Sequence, residues 1–520
     1  MANHYIASSR DQAYLLPPDV RDWLAPGHLA YFVVAAIAEM DTSKFHRNYS
    51  QWGPGRAAYD PDMLIALLLY AGCHGVRSSR RIEALCEVDV GYRVIAANQV
   101  PDHGTIARFR ARHEEELAGL FNEVLALCRQ AGLAKLGVVA LDGTKIAGSA
   151  SMDANLSRAQ IEAEVARMLK EAAEVDAAED ALFGDARGDE LPPELADPRS
   201  RQARLQEAKR RLEEERRAKQ EAEAAAEAEK LPKRIEAATK QRVARRRPTT
   251  KRAKSVARAE ADVAVAQAQR QALVERRRRI EESAAKEGTK VPGFEPDLDQ
   301  RLLQADEDLA RARANEHDEA QAATINTTDP DSAVMKDRRG FLQGYNAQAV
   351  VSEDQIILAA EVTTAAGDVE QFSPMLVATQ DNLNSAGFDE SIGTVVADAG
   401  YLSTANLQAP GPERLIATTR AHKLRRMAEK EGWREGPVPE GTPPIEAMTH
   451  RLLTRAGAVQ YARRGQIVEP VFGQIKEARA FRRFSRRGLA AADSEWKFVA
   501  ATHNLMKLFS HSNRLAAATA

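Results

Sequence analysis

Three acidic residues stand where the surrounding pattern gives a carboxylate chemistry to do. Asp142 closes the β-branched run Val138 to Leu141, and Asp398 closes the run Val395 to Ala397. Glu469 lies in a basic stretch, YARRGQIVEPVFGQIKEARAFRRFSRR, from Tyr461 to Arg487. A buried strand that ends in an acid puts a carboxylate at the strand's C-terminal edge, a common place for chemistry in α/β sheets. Read at helical spacing, Glu469, Phe472 or Gly473, Lys476, Arg479, Arg483 and Arg487 share one face. Between Arg451 and Arg487, ten Lys or Arg accompany two Glu, so one acid heads a ladder of cations. A metal-ion site acting on a polyanion needs such a set: the carboxylate holds the cation and the ladder holds phosphates. Three acids converging on one point repel unless cations lie among them, so the arrangement implies bound metal. Two Mg2+ ions about 3.5–4 Å apart would activate a water or a 3′-hydroxyl and stabilise the leaving oxygen of a phosphodiester. A general acid/base pair acting on a sugar explains the neighbouring cations less well. Each piece alone is ordinary, because Asp-Gly pairs mostly make turns and a basic helix is mostly a solvated face.

The acids meet only if the elements that carry them fold together. In order the chain reads as a strand with Asp142, a helical insertion, and two hairpin strands (Tyr345 to Val351, Ile356 to Thr363). A helix from Phe372 to Leu383, the Asp398 strand, the strand RLIATTR, a loop rich in Gly and Pro, and the Glu469 helix follow. The expected fold is an α/β core, a mixed sheet flanked by helices, with an N-terminal all-α domain and a long helical or coiled-coil insertion after the first catalytic strand. The expected boundaries are 1–133 for the N-terminal domain, 134–156 for the first core segment, 157–323 for the insertion and 324–520 for the remainder.

In the N-terminal third, Asp60-Pro61 opens an almost wholly apolar helix that ends at Gly72. Asp102 can cap a helix with Ile106, Phe109, His113 and Leu117 on its apolar side and Thr105, Arg108 and Arg112 on the other. A short helix followed by one presenting basic residues resembles a helix-turn-helix reader of duplex DNA, though a structural bundle accounts for the pattern equally well. His103 and His113 read as packing or capping residues. The insertion is rich in Ala, Glu, Arg, Lys and Gln, and Leu205, Ala208 and Leu212 suit an antiparallel helical hairpin or coiled coil. A polar break (residues 184–200) separates the insertion's first helix from this part, a basic cluster (Arg242 to Lys254) lies near an expected hairpin tip at Pro248, and ERRRR (275–279) lies on the return arm.

The 520 residues carry 73 Lys+Arg and 75 Asp+Glu, a formal charge of -2, so DNA affinity must come from local asymmetry. Cys73, Cys86 and Cys128 lack metal-ligand spacing and read as buried thiols of a reducing compartment. No apolar leader is evident, and the longest apolar run, Met63 to Ala71, is too short to span a bilayer. The expectation is a cytoplasmic protein with no membrane partner.

The segments PDHGTIARFR, LDGTKI, QGYNAQAVV, VVADAGY, YARRGQIVEPVFGQIK, FRRFSRRG and EWKFVAATHNLMKL together resemble a DDE transposase of bacterial insertion sequences, in the branch with a Tyr-Arg-Glu-Lys signature. The resemblance covers most of the chain outside the insertion. It implies an RNase H-like catalytic core, two Mg2+ ions for which Mn2+ substitutes, and strand cleavage and joining at terminal inverted repeats. The implied partners are double-stranded DNA, both transposon ends and target, and a second copy of the chain in the DNA complex. By position the acids are Asp142, Asp398 and Glu469, and Tyr461, Arg464 and Lys476 are accessory residues near the scissile phosphate. Four residues separate Arg464 from Glu469 where the family pattern has three, which leaves Arg463 as an alternative; the six between Glu469 and Lys476 match. The branch often carries a β-rich insertion after the second Asp, whereas the helical one here follows the first, so a DNA-hairpin intermediate stays open. A metal-dependent nuclease without a joining step, and a non-catalytic DNA-binding or coiled-coil scaffold, are the competing readings.

Overall fold

The computed structural model describes residues 22–47, 49, 58–168, 170, 201–240, 255–287, 298–337 and 340–519. They form two compact units, one of residues 1–150 with 331–520 and the other of residues 151–330.

The first unit holds the mixed sheet. Its strands are β1 (Val138–Ala147), β4 (Ala333–Asp337), β5 (Gly340–Val351), β6 (Ile357–Thr363), β7 (Thr394–Ala397) and β8 (Glu413–Ile416), with β2 (Asn155–Ser157) and β3 (Thr324–Asn326) in the other unit. The order is β4-β5-β1-β7-β8, with β6 also paired to β5. β1 is antiparallel to β5 and parallel to β7, and β7 is parallel to β8. Leu141 pairs with Ala397, so Asp142 and Asp398 leave neighbouring strands at the same level. The expected arrangement of the two Asp-bearing strands as neighbours is therefore found. Asp142 does not end its strand, however. β1 continues to Ala147 because β5 pairs with it along residues 140–147, beyond the last pair with β7.

β6 exposes an edge that would otherwise template further strands, and the C-terminal helix Leu489–Thr519 covers it with side chains. Asn504 accepts from the Ile357 N–H and donates to its carbonyl, both at 2.8 Å, and Asp493 accepts from the Val362 N–H at 2.8 Å. The same helix packs against Glu114–Gln130 and Pro61–Cys73, so the N-terminal helices and the sheet share one apolar core. Asp60 caps Pro61–Cys73 and Asp102 caps His103–Arg112 as expected. A further helix, Val90–Ile95, separates Ser79–Val88 from His103–Arg112, so the pair is not joined by a tight turn. Thr105 is half-buried, while Arg108 and Arg112 are exposed.

His503 lies fully buried in this core. Its Nδ1 accepts from Arg479 Nη2 at 3.0 Å and its Nε2–H donates to the Gln355 carbonyl at 2.9 Å. Burial, then the neighbouring Arg479 charge, push its pKa down to about 3. The unfolded chain therefore binds a proton here that the folded chain refuses between the ordinary histidine value and about pH 3. Stability must rise with pH across that window, by up to about 1.4 kcal/mol per pH unit for one proton. Denaturant unfolding followed from pH 7 to pH 4 should lose part of its slope in His503→Gln, which keeps one donor and one acceptor; an unchanged slope would assign the acid sensitivity elsewhere.

The second unit contains the helices Arg201–Lys240, Val256–Glu287 and Leu298–Ala322 and the two-stranded ladder of β2 (Asn155–Ser157) with β3 (Thr324–Asn326). The middle helix packs against both others, so the described residues give three long helices in the insertion expected to be a helical hairpin or coiled coil. Leu205 and Ala208 are buried with Ile161 and Ile325, and Leu212 is partly buried beside them. Both the polar break at 184–200 and the basic cluster Arg242 to Lys254 lie outside the described residues.

Candidate acidic site at the sheet edge

Asp142 is held from two sides. Its Oδ1 accepts from the Gly143 N–H at 2.9 Å, and its Oδ2 meets Arg464 Nη2 at 2.6 Å. Only 17% of its side chain is exposed. Burial, and after it the neighbouring Asp398 charge, push its pKa up to about 6 against the pull of Arg464. Asp398 is half-buried at the turn after β7, where its Oδ1 accepts from the Gly400 N–H at 2.8 Å. Glu469 is exposed at the first position of the short helix Glu469–Gly473. Tyr461 reports on all three: its phenol is raised by burial, and Asp398, Asp142 and Glu469 all add to the shift. The charges of all three acids are thus felt at one tyrosine, although their carboxylates do not all lie within 4.8 Å of one another and 256 positions of sequence part Asp142 from Asp398.

The helix that brings Glu469 is broken. Arg455–Ile467 ends before Pro470, which has no N–H to continue the ladder, and Glu469–Gly473 leads into a π-helical turn, Gln474–Ala478. From Arg479 the chain is irregular: Ala147 donates to the Arg482 carbonyl at 3.2 Å and Phe484 to the Ala147 carbonyl at 2.8 Å. The cation ladder expected along one helical face therefore stops at Lys476, because the segment after Ala478 pairs with the end of β1 instead. Lys476 Nζ donates to the Lys145 carbonyl at 3.0 Å. Arg479 turns inward onto His503. Arg483 and Arg487 remain exposed, and Arg487 Nε donates to the Ser149 carbonyl at 3.1 Å.

Arg464, and not Arg463, reaches the acids. Arg463 pairs with Glu353, whose other carboxylate oxygen accepts from the Val138 N–H at 2.7 Å, at the start of β1. Arg464 is only 15% exposed. Burial opposes its charge, yet Asp142 and Asp398 raise its pKa on balance. Its Nε is buried without a hydrogen-bond partner.

A second layer escaped the sequence reading. Asp368, on the loop before the helix Phe372–Ser385, has its Oδ1 bound by Asn346 Nδ2 at 2.7 Å, Gln348 Nε2 at 2.9 Å and Lys145 Nζ at 3.4 Å. Gln348 also accepts from the Tyr401 hydroxyl, and Trp496 Nε1 donates to its carbonyl at 2.8 Å. A signal was present: Asn346 and Gln348 recur two apart in the otherwise apolar run YNAQAVV, and a strand places such residues on one face.

Chemically the site is a group of hard carboxylate oxygens with one buried guanidinium as counter-ion. Such oxygens suit hard divalent cations of the Mg2+ or Mn2+ kind. An acidic centre at the ends of two neighbouring strands of a mixed sheet is compatible with metal-assisted chemistry on a polyanion. Residues 18–112 match the family Transposase domain (DUF772), and residues 439–509 match the family Transposase DDE domain. Over these two segments, about a third of the chain, it is similar to transposases, and over the second to their DDE domain. The second match contains Glu469, Arg464 and Lys476, while Asp142 and Asp398 lie outside both. No curated protein and no solved structure matches the chain. Among the described residues, no helix is long and apolar enough to cross a membrane.

Proposed function

We propose that the chain cleaves DNA at terminal inverted repeats and joins the freed ends to target DNA, using Asp142, Asp398 and Glu469 of an RNase H-like core to hold two Mg2+ ions. The observation that carries this reading is the parallel pairing of β1 with β7, which sets Asp142 beside Asp398 within reach of the tyrosine that also senses Glu469. Bound Mg2+ would supply positive charge to the phosphodiester oxygens and acidify the attacking hydroxyl. In cleavage, a water oxygen bonds to phosphorus as the P–O3′ bond breaks, leaving a 3′-hydroxyl. In joining, that hydroxyl oxygen attacks a target phosphorus, displaces the target's own 3′-oxygen and gives up its proton.

The chain's residues divide this work. Arg464 balances a carboxylate that burial would otherwise neutralise. Tyr461, whose phenol feels all three acids, and Lys476, whose Nζ donates to the Lys145 carbonyl, fill with Arg464 the accessory places of the Tyr-Arg-Glu-Lys branch near the scissile phosphate. Thr105, Arg108 and Arg112 form the end-reading face, and two copies act on two ends.

Arg483 and Arg487 are assigned to the DNA backbone. Replacing both by Ala should weaken end and unrelated duplexes alike and flatten log K against log salt by about one unit per lost contact. Equilibrium titrations at several salt concentrations measure it; a loss confined to transposon ends would show that the pair reads sequence. The reaction itself is tested by incubating end DNA with Mg2+ and mapping the cut strands, then supplying precleaved ends with supercoiled plasmid. Joined product supports the transferase. Cleavage without joining leaves a metal-dependent nuclease, and neither reaction leaves a DNA-binding scaffold.

A further inference from the structure

We infer that Asp368 is a fourth acid of this site, and that its Oδ2, together with Asp398, takes one of the divalent cations. The inference rests on the metal-dependent reading above and extends it to a residue outside both family matches.

The two oxygens of Asp368 differ. Oδ1 is saturated by three donors: Asn346, Gln348 and Lys145. Oδ2 accepts none of these bonds. A Cβ placed on Gly400 would stand 2.9 Å from Asp398 Oδ1 and 3.2 Å from Asp368 Oδ2, so the two carboxylates flank one small space. Asp368 is partly exposed, with 25% of its side chain accessible, so the open oxygen remains reachable. A carboxylate fixed through one oxygen by buried amides while the other stays open is how proteins orient metal ligands.

A separate observation points the same way. Asn346 is fully buried, and its Oδ1 has no hydrogen-bond partner. A buried amide oxygen left unpaired is unfavourable, and an incoming cation or its water would relieve that. Asn346 Oδ1 and Asp368 Oδ1 each stand 2.9 Å from where a Gly143 Cβ would lie, over the residue next to Asp142.

The test is Mn2+ binding to the full chain, without DNA, counted by the paramagnetic resonance signal of free Mn2+. Asp368→Asn preserves shape and the amide contacts. It should weaken one Mn2+ site about 10- to 100-fold, with circular dichroism unchanged. Asp368→Cys supplies a thiolate, and that site should then prefer Cd2+, seen as a thiolate-to-cadmium absorption band. The wild-type chain, whose three thiols are buried, gives the baseline. An Asp368→Asn isotherm equal to wild type, or a folded Asp368→Cys chain with no Cd2+ band, overturns the assignment. Asp398→Asn and Asp142→Asn run alongside. If they lose Mn2+ while Asp368→Asn does not, only the fourth acid is wrong; if the wild type takes no Mn2+, the metal reading beneath it fails as well.

Discussion

Asp142→Asn, Asp398→Asn and Glu469→Gln should each reduce DNA cleavage by on the order of 10³-fold or more while duplex affinity changes little. The two effects separate because the residues that would grip DNA are different ones. The exposed Arg483 and Arg487 leave the chain after the last helical turn, so removing a carboxylate leaves them in place and slightly lessens repulsion of the phosphates. The three variants should differ in the fold, however. Asp142 is mostly buried against Arg464, and its loss leaves a buried guanidinium with Asp398 as its remaining acidic neighbour. Glu469 is exposed, so Glu469→Gln should unfold at the wild-type temperature. Gel-shift titration, cleavage of labelled end DNA and thermal unfolding on the same preparations check all three points. Cleavage retained by any one variant would remove that residue from the site.

Much of this was legible in the sequence, for a physical reason. Val138 to Leu141 and Val395 to Ala397 are short β-branched runs with an acid directly after each, and fully buried strands need little else to announce themselves. The turn between β5 and β6 and the caps at Asp60 and Asp102 are equally local, and the structure contains them. What escaped was set by partners distant in sequence. β1 runs past Asp142 because β5, some two hundred residues later, pairs with it. The basic stretch kept helical spacing on paper to Arg487, yet the chain leaves the helix after Ala478 to bond the end of β1. Arg479 has the same residue type and spacing as its neighbours but lies against His503, a partner no local pattern names. Asp368 sits in a loop without periodicity, and only the fold shows that three side chains converge on its Oδ1.

Gly143→Ala should sharply reduce cleavage, although it removes no chemical group. β1 pairs Gly143 with Gln348, and a Cβ on residue 143 would lie 2.3 Å from Gln348 Nε2 and 2.9 Å from both Asn346 Oδ1 and Asp368 Oδ1. Gln348 has little room to give way. It is fully buried, its side chain receives the Tyr401 hydroxyl, and its backbone carbonyl is tied to Trp496. The added methyl must displace Gln348, separate β1 from β5, or expel Asp368, and each of these shifts the strand that carries Asp142. Overpacking of this kind costs about 1–3 kcal/mol, enough to lower the unfolding midpoint by several degrees without unfolding the chain. The expected result is a folded, DNA-binding protein with cleavage reduced at least about a hundredfold, since small displacements of a reacting group cost that much. Gly473→Ala is the control, because nothing lies within 4 Å of the Cβ it would add. Were Gly143→Ala to cleave at the wild-type rate, the close approach of Gln348 to β1 would have no part in holding the acids.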